Sequence, residues 1–238
     1  MERVGVSSAL IRVIIPHHFS HRTPHQWDQF AKTGLLYGMT TNPSILLRDG
    51  VPACAPKVLA VLAAQAWNLG ARELHLQAWG ASAAALYSAG LDLAAIDPRI
   101  VVKVPATAAG VEAAALLKGA GAAVTLTGLF AAHQAVSAVG VGADYAAPYL
   151  SRIAAAGPGR DGRLEVGAMQ AVVENLDAKT RILVASIKSL EDVVLLSTQG
   201  LCTFTLAPSL MGELLSAEVA TDAAAAEFEA AARQLGAV

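Results

Sequence analysis

The sequence predicts an α/β fold: a closed (β/α)8 barrel of the TIM type, with one extra helix at the C-terminus. Short apolar, mostly β-branched runs alternate along the chain with Ala- and Leu-rich stretches of helical spacing. Eight such strand–helix units within 238 residues suit one barrel domain that spans residues 1–238. A doubly wound open sheet is the alternative, but no Gly-rich dinucleotide fingerprint follows the first strand.

The strands are predicted from apolar runs bounded by polar or turn-forming positions. In chain order these runs cover residues 10–15, 35–39, 73–77, 100–104, 122–126, 145–147, 182–185 and 202–206. The stretches between them, with apolar residues three and four positions apart, predict helices. The helices cover residues 24–32, 55–69, 81–89, 108–118, 131–139, 164–176, 190–197 and 208–215, and the extra C-terminal helix covers residues 222–236.

Composition argues against several classes of partner. The formal net charge is −2 and no block of Lys and Arg is present, so we expect no nucleic-acid partner. Residues 119–139 are the best candidate for a membrane span, but their Thr, His and Gln side chains favour a buried helix and strand instead. The N-terminus lacks the pattern of a signal peptide, and Cys54 and Cys202 make neither a disulfide framework nor a metal pair. We therefore expect a soluble cytoplasmic protein without a membrane partner.

In residues 99–105, Lys103 interrupts the apolar run that follows Arg99. Burial disfavours the charged form of an ammonium group and can lower the pKa of a lysine by several units. A neutral amine is a nucleophile that attacks a carbonyl carbon to give a Schiff base, so Lys103 is a candidate catalytic residue. The alternative is a lysine on a half-solvated strand, with its aliphatic stem over apolar neighbours.

Polar or reactive residues mark six consecutive predicted strands, from the second to the seventh. In a barrel of this type the active site lies at the C-terminal ends of the strands, so these side chains are expected to converge on one mouth. Any single case is explained equally well by the general polarity of loops. In chain order the residues are Thr40, Asn42, Ser44, Gln77, Lys103, Thr125, Thr127, Tyr149, Arg152, Ser186 and Lys188.

These groups can be assembled into one reaction. Lys103 would attack a ketone and form an iminium, an electron sink that lets the bond between the neighbouring carbons break or form. Gln77, Thr127 and Tyr149 could hold the water that moves protons, with Tyr149 as general acid or base. The substrate-binding residues are Thr40 and Asn42, toward the hydroxyl groups of a polyol chain, together with Ser44 and Thr125.

Arg152 is the candidate ligand of a terminal phosphate. Together with Ser186 and Lys188, its guanidinium could clamp a phosphate through charge-assisted hydrogen bonds. The alternative is that Arg152 forms a salt bridge with Asp144 or with another carboxylate on the rim.

Four segments resemble motifs of the transaldolase family. Residues 38–44 are similar to the signature that ends the second strand, and residues 102–110 to the segment that bears the Schiff-base lysine. Residues 146–153 and 184–188 are similar to the sixth- and seventh-strand motifs. The segments occur in the family's order and spacing, from about residue 35 to the end of the chain. They point to the small transaldolases and fructose-6-phosphate aldolases.

The resemblance implies a class I mechanism without metal or other cofactor. A dihydroxyacetone unit would be held on Lys103, with a sugar phosphate or another aldehyde as acceptor. In the family a glutamine at the third strand and a tyrosine in the sixth-strand motif mark the aldolases, so Gln77 and Tyr149 favour aldol addition and cleavage over strict transfer. The resemblance also implies a homo-oligomer, a pentamer or decamer, formed through the helix at 222–236. The alternative is that this helix packs on its own barrel.

The end of the first strand departs from the family pattern. The family has an aspartate there, whereas this chain continues into His17 and His18. Either imidazole could relay protons in its place, because histidine titrates near neutral pH. With His21 and His25 the stretch could instead bind a metal, but few other ligand types lie nearby and we expect no metal. Thr125 also stands where the family has an asparagine.

The sequence therefore predicts a class I aldolase or transaldolase acting on a small hydroxyketone and an aldehyde acceptor. One alternative is a transaldolase proper, which moves a three-carbon unit between sugar phosphates, in a specialised biosynthetic pathway rather than in central metabolism such as the pentose phosphate route. A second alternative is a catalytically weak relative that binds a sugar phosphate. The missing aspartate favours this last alternative, and the retained Lys103 opposes it.

Overall fold

Eight parallel strands form a closed barrel in the computed structural model, which describes residues 12–16 and 30–236. Each strand pairs with the next one in the chain, and β1 pairs with β8 to close the sheet. The predicted (β/α)8 fold is confirmed. The strands are β1 Arg12–Pro16, β2 Leu36–Thr40, β3 Glu73–Gln77, β4 Ile100–Pro105, β5 Ala123–Leu129, β6 Tyr145–Pro148, β7 Arg181–Val184 and β8 Thr203–Thr205.

At least one helix follows each strand from β2 to β8, which returns the chain so that the next strand runs parallel. The predicted extra helix at the C-terminus is present as α10. The helices are α1 Pro43–Arg48, α2 Pro56–Asn68, α3 Ala83–Ala94, α4 Ala108–Gly119, α5 His133–Gly140, α6 Leu150–Ala155, α7 Gly162–Asn175, α8 Leu190–Thr198, α9 Pro208–Leu215 and α10 Val219–Gln234.

Two short helices, α1 and α6, have no counterpart in the sequence prediction. Each has six residues, so its apolar positions are too few to show helical periodicity. Both follow a strand closely and therefore lie at the C-terminal end of the barrel. By contrast, β3 and α9 match their predicted ranges residue for residue. The predicted helix at 24–32 falls mostly outside the described residues, although residues 30–32 are helical.

Within the described part of the chain, no helix has both the length and the apolar character needed to cross a membrane. Residues 119–139, the best candidate from composition, comprise the end of α4, the whole of β5 and most of α5. Gly121, with a φ of 84°, separates the helix from the strand. This stretch is therefore the helix and strand that its polar residues predicted.

Most of the apolar core lies between the outer face of the sheet and the surrounding helices. Strand residues Val102 and Leu126 are fully buried in this layer, as is Leu117 of α4. Because the outer layer supplies most of the apolar burial, the barrel interior can hold polar side chains without loss of the fold. The smaller apolar cluster inside the barrel consists of Ile14, Val101, Tyr145, Ala147 and Leu183.

The turn from β4 into α4 fixes the strand that carries Lys103. Thr107 caps the helix, its hydroxyl oxygen accepting a hydrogen bond from the Gly110 amide at 3.1 Å. A Cβ atom added at Gly110 would lie 1.8 Å from the carbonyl oxygen of Pro105. Only glycine therefore allows this helix to start so close to the end of β4, which gives a physical reason for the glycine that ends the lysine-bearing segment.

Candidate active site

Lys103 points into the barrel and is only 8% exposed. Its Nζ donates hydrogen bonds to Thr40 Oγ1 at 3.0 Å and to the Thr41 carbonyl oxygen at 3.2 Å, both on the β2 side. The amine is therefore enclosed, and the alternative of a half-solvated lysine is wrong. Gln77 secures the lysine backbone, because its Nε2 donates to the Lys103 carbonyl oxygen at 3.1 Å and to the Ala78 carbonyl oxygen at 3.2 Å.

Burial lowers the pKa of the Lys103 amine to about 8. No carboxylate within the described residues pairs with this amine, so no opposite charge offsets the desolvation of its charged form. About a tenth of a group with this pKa is neutral at pH 7, far more than for an exposed lysine. The amine is therefore poised to act as a nucleophile.

The segment after β2 builds the amine's partners by local rules. Asn42 caps α1, since its Oδ1 accepts a hydrogen bond from the Ile45 amide at 2.9 Å, and Pro43 takes the first helical position. The Thr41 amide donates to the carbonyl oxygen of His75 at 3.0 Å, which anchors the end of β2 on β3. The hydroxyl of Thr41 is buried and has no hydrogen-bond partner among the described residues.

Two predicted catalytic groups meet at the ends of β5 and β6. The hydroxyls of Thr127 on β5 and Tyr149 after β6 lie 3.2 Å apart, and either can be the donor. Phe130 packs edge-on against the Tyr149 ring at a centroid distance of 5.9 Å. These two contacts help to hold Tyr149 at the end of β6.

Arg152 and Ser186 lie on the neighbouring stretch of the rim. The guanidinium of Arg152 stands over the Tyr149 ring, 4.9 Å from its centroid. Ser186 has a φ of 61°, a left-handed conformation that is uncommon without glycine, and its hydroxyl lies 2.7 Å from that of Ser151. This strained residue directs the chain after β7 toward the start of α6, as the Ser151 amide also donates to the Ser186 carbonyl oxygen.

The alternative partner proposed for Arg152 is wrong. Asp144 stands before β6, at the opposite end of the barrel, where it pairs with Lys118 at 2.7 Å and accepts from the Val124 amide at 2.8 Å. In the part of the chain that the structure describes, Arg152 forms no ion pair with any carboxylate. Its charge therefore remains available at the rim.

The other predicted binding residues differ in accessibility. Ser44 is exposed in the first turn of α1, and Lys188 is exposed after β7. Thr125 is fully buried, beside Lys103 in the register of β4 and β5. His17 and His18, the predicted proton relay, lie outside the described residues, as do His21 and His25.

Sequence reasoning missed a polar network inside the barrel, below Lys103. Tyr145 donates to Glu73 Oε2 at 2.9 Å, and Arg12 donates to the Tyr145 hydroxyl at 3.1 Å. Burial and the adjacent Glu73 carboxylate raise the pKa of Tyr145, so it remains a donor. The other oxygen of Glu73 bonds the ring of His75 at 2.8 Å. The signal was the alternation Glu73-Leu74-His75-Leu76-Gln77, which sends three polar side chains to the same face of β3.

Comparisons with known proteins identify the family of this chain. Residues 21–237 match the family model described as Transaldolase/Fructose-6-phosphate aldolase. The chain belongs to this family. The match begins after the first strand, so it leaves out the strand end at which the sequence departs from the family pattern. It covers more of the chain than the four motifs, which begin at about residue 35. As a member, the protein is an enzyme of the transaldolase and aldolase type that acts on carbon–carbon bonds.

Individual relatives carry the same indication. A probable transaldolase of Caulobacter sp. (strain K31) is 31% identical over 184 residues, covering 77% of this chain and 81% of the relative. A probable transaldolase of Lysinibacillus sphaericus (strain C3-41) is 30% identical over 176 residues, 74% of this chain and 76% of the relative. One of Cereibacter sphaeroides (strain ATCC 17029 / ATH 2.4.9) is 30% identical over 79% of this chain and 82% of its own length.

We predict that Lys103→Met stabilises the protein at neutral pH. Below about pH 8 the buried amine is protonated although burial opposes its charge, whereas the same group in the unfolded chain holds its proton up to about pH 10.5. Replacing it should raise the free energy of unfolding by about 1–3 kcal/mol at pH 7. The gain should fade between pH 8 and 10.5, as the unfolded amine also loses its proton. Urea unfolding at several pH values measures it.

The exposed Lys188 gives the matched control, because Lys188→Met removes a lysine that is already solvated. It should leave the free energy of unfolding unchanged within about 0.5 kcal/mol. The claim that burial of the charged Lys103 amine destabilises the fold would be contradicted if Lys103→Met were less stable than wild type at pH 7. A gain in the free energy of unfolding that does not vary with pH would contradict it as well.

Proposed function

We propose that this transaldolase-family protein is a class I aldolase that makes or breaks a carbon–carbon bond through a Schiff base on Lys103. The observation that carries the proposal is the enclosed Lys103 amine, whose pKa is lowered to about 8 at the C-terminal mouth of the barrel. Family membership supports the reaction type. The donor is a dihydroxyacetone-type ketone, and the acceptor is a sugar phosphate or another aldehyde.

Hydrogen bonding sets the direction of nucleophilic attack. A neutral amine has two N–H bonds, and those of Lys103 have acceptors in Thr40 Oγ1 and the Thr41 carbonyl. The nitrogen lone pair is then directed away from β2, into the barrel mouth. There it adds to the ketone carbon of the donor, and loss of water from the resulting carbinolamine gives the iminium.

The iminium allows the carbon–carbon bond to break. The hydroxyl next to that bond gives up its proton, its oxygen becomes the carbonyl of a released aldehyde, and the bonding electrons move into an enamine. Protonation of the enamine and addition of water free the ketone and restore Lys103. Tyr149, joined to Thr127, serves as general acid or base, with Gln77 helping to hold the water.

Substrate binding follows the positions of the remaining polar groups. Arg152, pinned over the Tyr149 ring without a carboxylate partner in the described residues, would grip the phosphate end together with Ser186 and Lys188. Hydroxyl groups of the donor would meet the residues nearer the amine: Thr40, Asn42, Ser44 and Thr125. His17 and His18 remain the candidates for the proton transfer that the family assigns to its first-strand aspartate.

Two alternatives are separated by their products. A transaldolase proper, the activity named for the relatives, transfers the three-carbon unit and releases little free dihydroxyacetone when no acceptor is present. Gln77 and Tyr149 favour the aldolase, which releases it. A catalytically weak sugar-phosphate binder would form no covalent adduct at all.

Borohydride trapping tests the proposal. With dihydroxyacetone or fructose 6-phosphate, reduction of the iminium should leave a permanent adduct that intact mass and peptide mapping place on Lys103. The rate of adduct formation should rise between pH 7 and 9, because the neutral fraction of an amine with a pKa of about 8 rises there. Wild-type protein that yields no adduct, or an adduct on a different lysine, overturns the proposal.

Variants and a chelator complete that experiment. Lys103→Met should give no adduct with either ketone, whereas Lys188→Met should be labelled by dihydroxyacetone, which has no phosphate, as efficiently as wild type. Turnover should be unchanged in excess EDTA. Loss of turnover in EDTA would indicate a metal-dependent aldolase instead.

Arg152→Met should weaken binding of phosphorylated substrates selectively. A charge-assisted hydrogen bond to phosphate contributes about 1.5–3 kcal/mol, so the KM for fructose 6-phosphate should rise by about 10- to 100-fold. The KM for dihydroxyacetone, which has no phosphate, should change by less than about twofold.

Arg163→Met is the control for this substitution, since Arg163 on α7 is committed to Asp192 at 2.8 Å and to Glu191. Its KM values should match those of wild type. Equal losses on phosphorylated and unphosphorylated donors in Arg152→Met would refute the phosphate role.

We also propose that α10 joins copies of this chain into a homo-oligomer, a pentamer or decamer in the cytoplasm. None of its residues is buried, and Phe228 is 72% exposed. Ala224, Phe228 and Leu235 fall on one side of the helix, so the chain by itself leaves an apolar stripe open to solvent. A second copy would cover this stripe.

Phe228→Glu should therefore dissociate the oligomer, because a carboxylate in an apolar interface is desolvated without a partner. Light scattering coupled to gel filtration of the full chain measures the mass of the particle. Glu227→Gln, one position away on the polar part of the helix, should keep the wild-type mass. A monomeric wild type would rule out the oligomer.

A further inference from the structure

The β5–α5 loop, residues 130–132, is held by side chains from the helices around it. The amides of Phe130 and Ala131 both donate to Gln134 Oε1, at 2.7 and 3.1 Å, and the third amide of the loop donates to Glu165 Oε2 at 2.8 Å. The glutamine lies in the first turn of α5 and the glutamate in the first turn of α7. Three consecutive amides therefore depend on side-chain acceptors rather than on the sheet.

Arg160, in the loop between α6 and α7, completes this arrangement. Its guanidinium donates to the Phe130 carbonyl oxygen and to Glu165 Oε1, the latter at 3.1 Å. The glutamate thus uses one oxygen for the loop amide and the other for the arginine. The two charged side chains are 30% and 29% exposed, and an ion pair as open to solvent as this contributes little to the free energy of unfolding. Its position on the β5–α5 loop therefore explains it better than stability does.

The ring that this loop carries is a neighbour of a proposed catalytic group. Phe130 packs edge-on against Tyr149, and the Tyr149 hydroxyl lies 3.2 Å from that of Thr127. Tyr149 is only partly buried, so its hydroxyl is open to a ligand in the mouth. Phe130 is partly buried as well, so the hydrogen bonds of its backbone, more than burial of its ring, fix where the ring stands.

Gln134 also connects the loop to the strand that bears Lys103. Its Nε2 donates to the carbonyl oxygen of Ala106, directly after β4, at 3.2 Å. The Ala106 amide in turn donates to the Thr127 carbonyl oxygen at 2.8 Å. The loop is thus tied both to the strand of the proposed nucleophile and to the strand whose hydroxyl meets Tyr149. A displacement of about 1 Å between reacting groups can lower a rate by about 100-fold, so such a connection matters for proton transfer.

We propose that Gln134, Glu165 and Arg160 are positioning residues, which hold Phe130 against Tyr149 and so keep the tyrosine hydroxyl in place for proton transfer. They act through the Phe130 ring and need no contact with the substrate. Their effect on rate rests on the proposed Schiff-base function, whereas their hold on the β5–α5 loop does not.

Hydrogen exchange followed by mass spectrometry tests the hold on the loop in the full chain without substrate. In the wild type the three loop amides should exchange more than about tenfold more slowly than in the unfolded chain, because each has an acceptor. Gln134→Met removes the acceptor of the first two and should restore fast exchange there, while exchange within β5 stays unchanged. Wild-type loop amides that exchange at the unprotected rate overturn the proposal, whatever the protein catalyses.

Arg160→Met tests the positioning role. For cleavage of fructose 6-phosphate, kcat should fall by about tenfold while KM changes by less than about twofold, because proton transfer is impaired and binding is not. The fraction of Lys103 that a brief borohydride pulse traps after equilibration with dihydroxyacetone should match wild type. Loss of folded protein would lower kcat and the trapped fraction together. That parallel loss, or an unchanged kcat, overturns the proposal.

Phe130→Ala shows whether the arginine acts through the ring. By itself it should lower kcat about as much as Arg160→Met. The double variant should be no worse than the poorer single variant, because both changes release the same contact with Tyr149. Losses that multiply to about 100-fold overturn the proposal.

Arg163→Met is the matched control, since Arg163 also begins α7 and pairs with two carboxylates, but these are Asp192 and Glu191 on α8. It should leave loop exchange and kcat unchanged. A tenfold loss of kcat in this variant would mean that any broken ion pair of α7 slows the enzyme, which also overturns the proposal. A wild type that forms no Schiff base refutes the proposed function alone, and the exchange result still decides the hold on the loop.

Discussion

The proposed chemistry of this protein depends on the enclosure of one amine. Lys103 is buried in the barrel with two acceptors from the end of β2 and without a carboxylate partner in the described residues, so desolvation is the force that lowers its pKa to about 8. The same desolvation opposes folding at neutral pH, which is the usual relation between an active site and the stability of its scaffold. Desolvation of the Lys103 amine therefore both lowers its pKa and destabilises the folded protein.

The barrel tolerates this strain because its stability comes from elsewhere. The large apolar core lies between the sheet and the helices, while only a small cluster of apolar side chains occupies the interior. Other interior positions carry polar side chains, among them Lys103, Thr125, His75 and Glu73, which are connected by register and by hydrogen bonds. Polar groups in such a site must satisfy one another, and this requirement links the inner face of β3 to the wall beside the reactive amine.

The motifs of the transaldolase family have separate physical tasks within short segments. In residues 38–44, Gly38 leaves space for Glu73, Thr40 and Thr41 hold the amine, and Asn42 caps a helix. In the lysine-bearing segment, Gly110 lets α4 begin against β4. A family signature of this kind therefore records backbone geometry and chemistry together.

The sequence by itself determined the strands and most of the helices, because apolar periodicity is local. It also singled out Lys103 as a candidate, because a charge inside an apolar run is visible in the primary structure. It also brought the polar residues to one rim, since parallel strands place their C-terminal ends together. Tertiary structure alone decided which groups pair. Arg152 stands over Tyr149 while Asp144 pairs with Lys118 at the far end, and His75 meets Thr125 from 50 residues away. Such pairings depend on strand register and on distances across the barrel, which no pattern along a single strand contains.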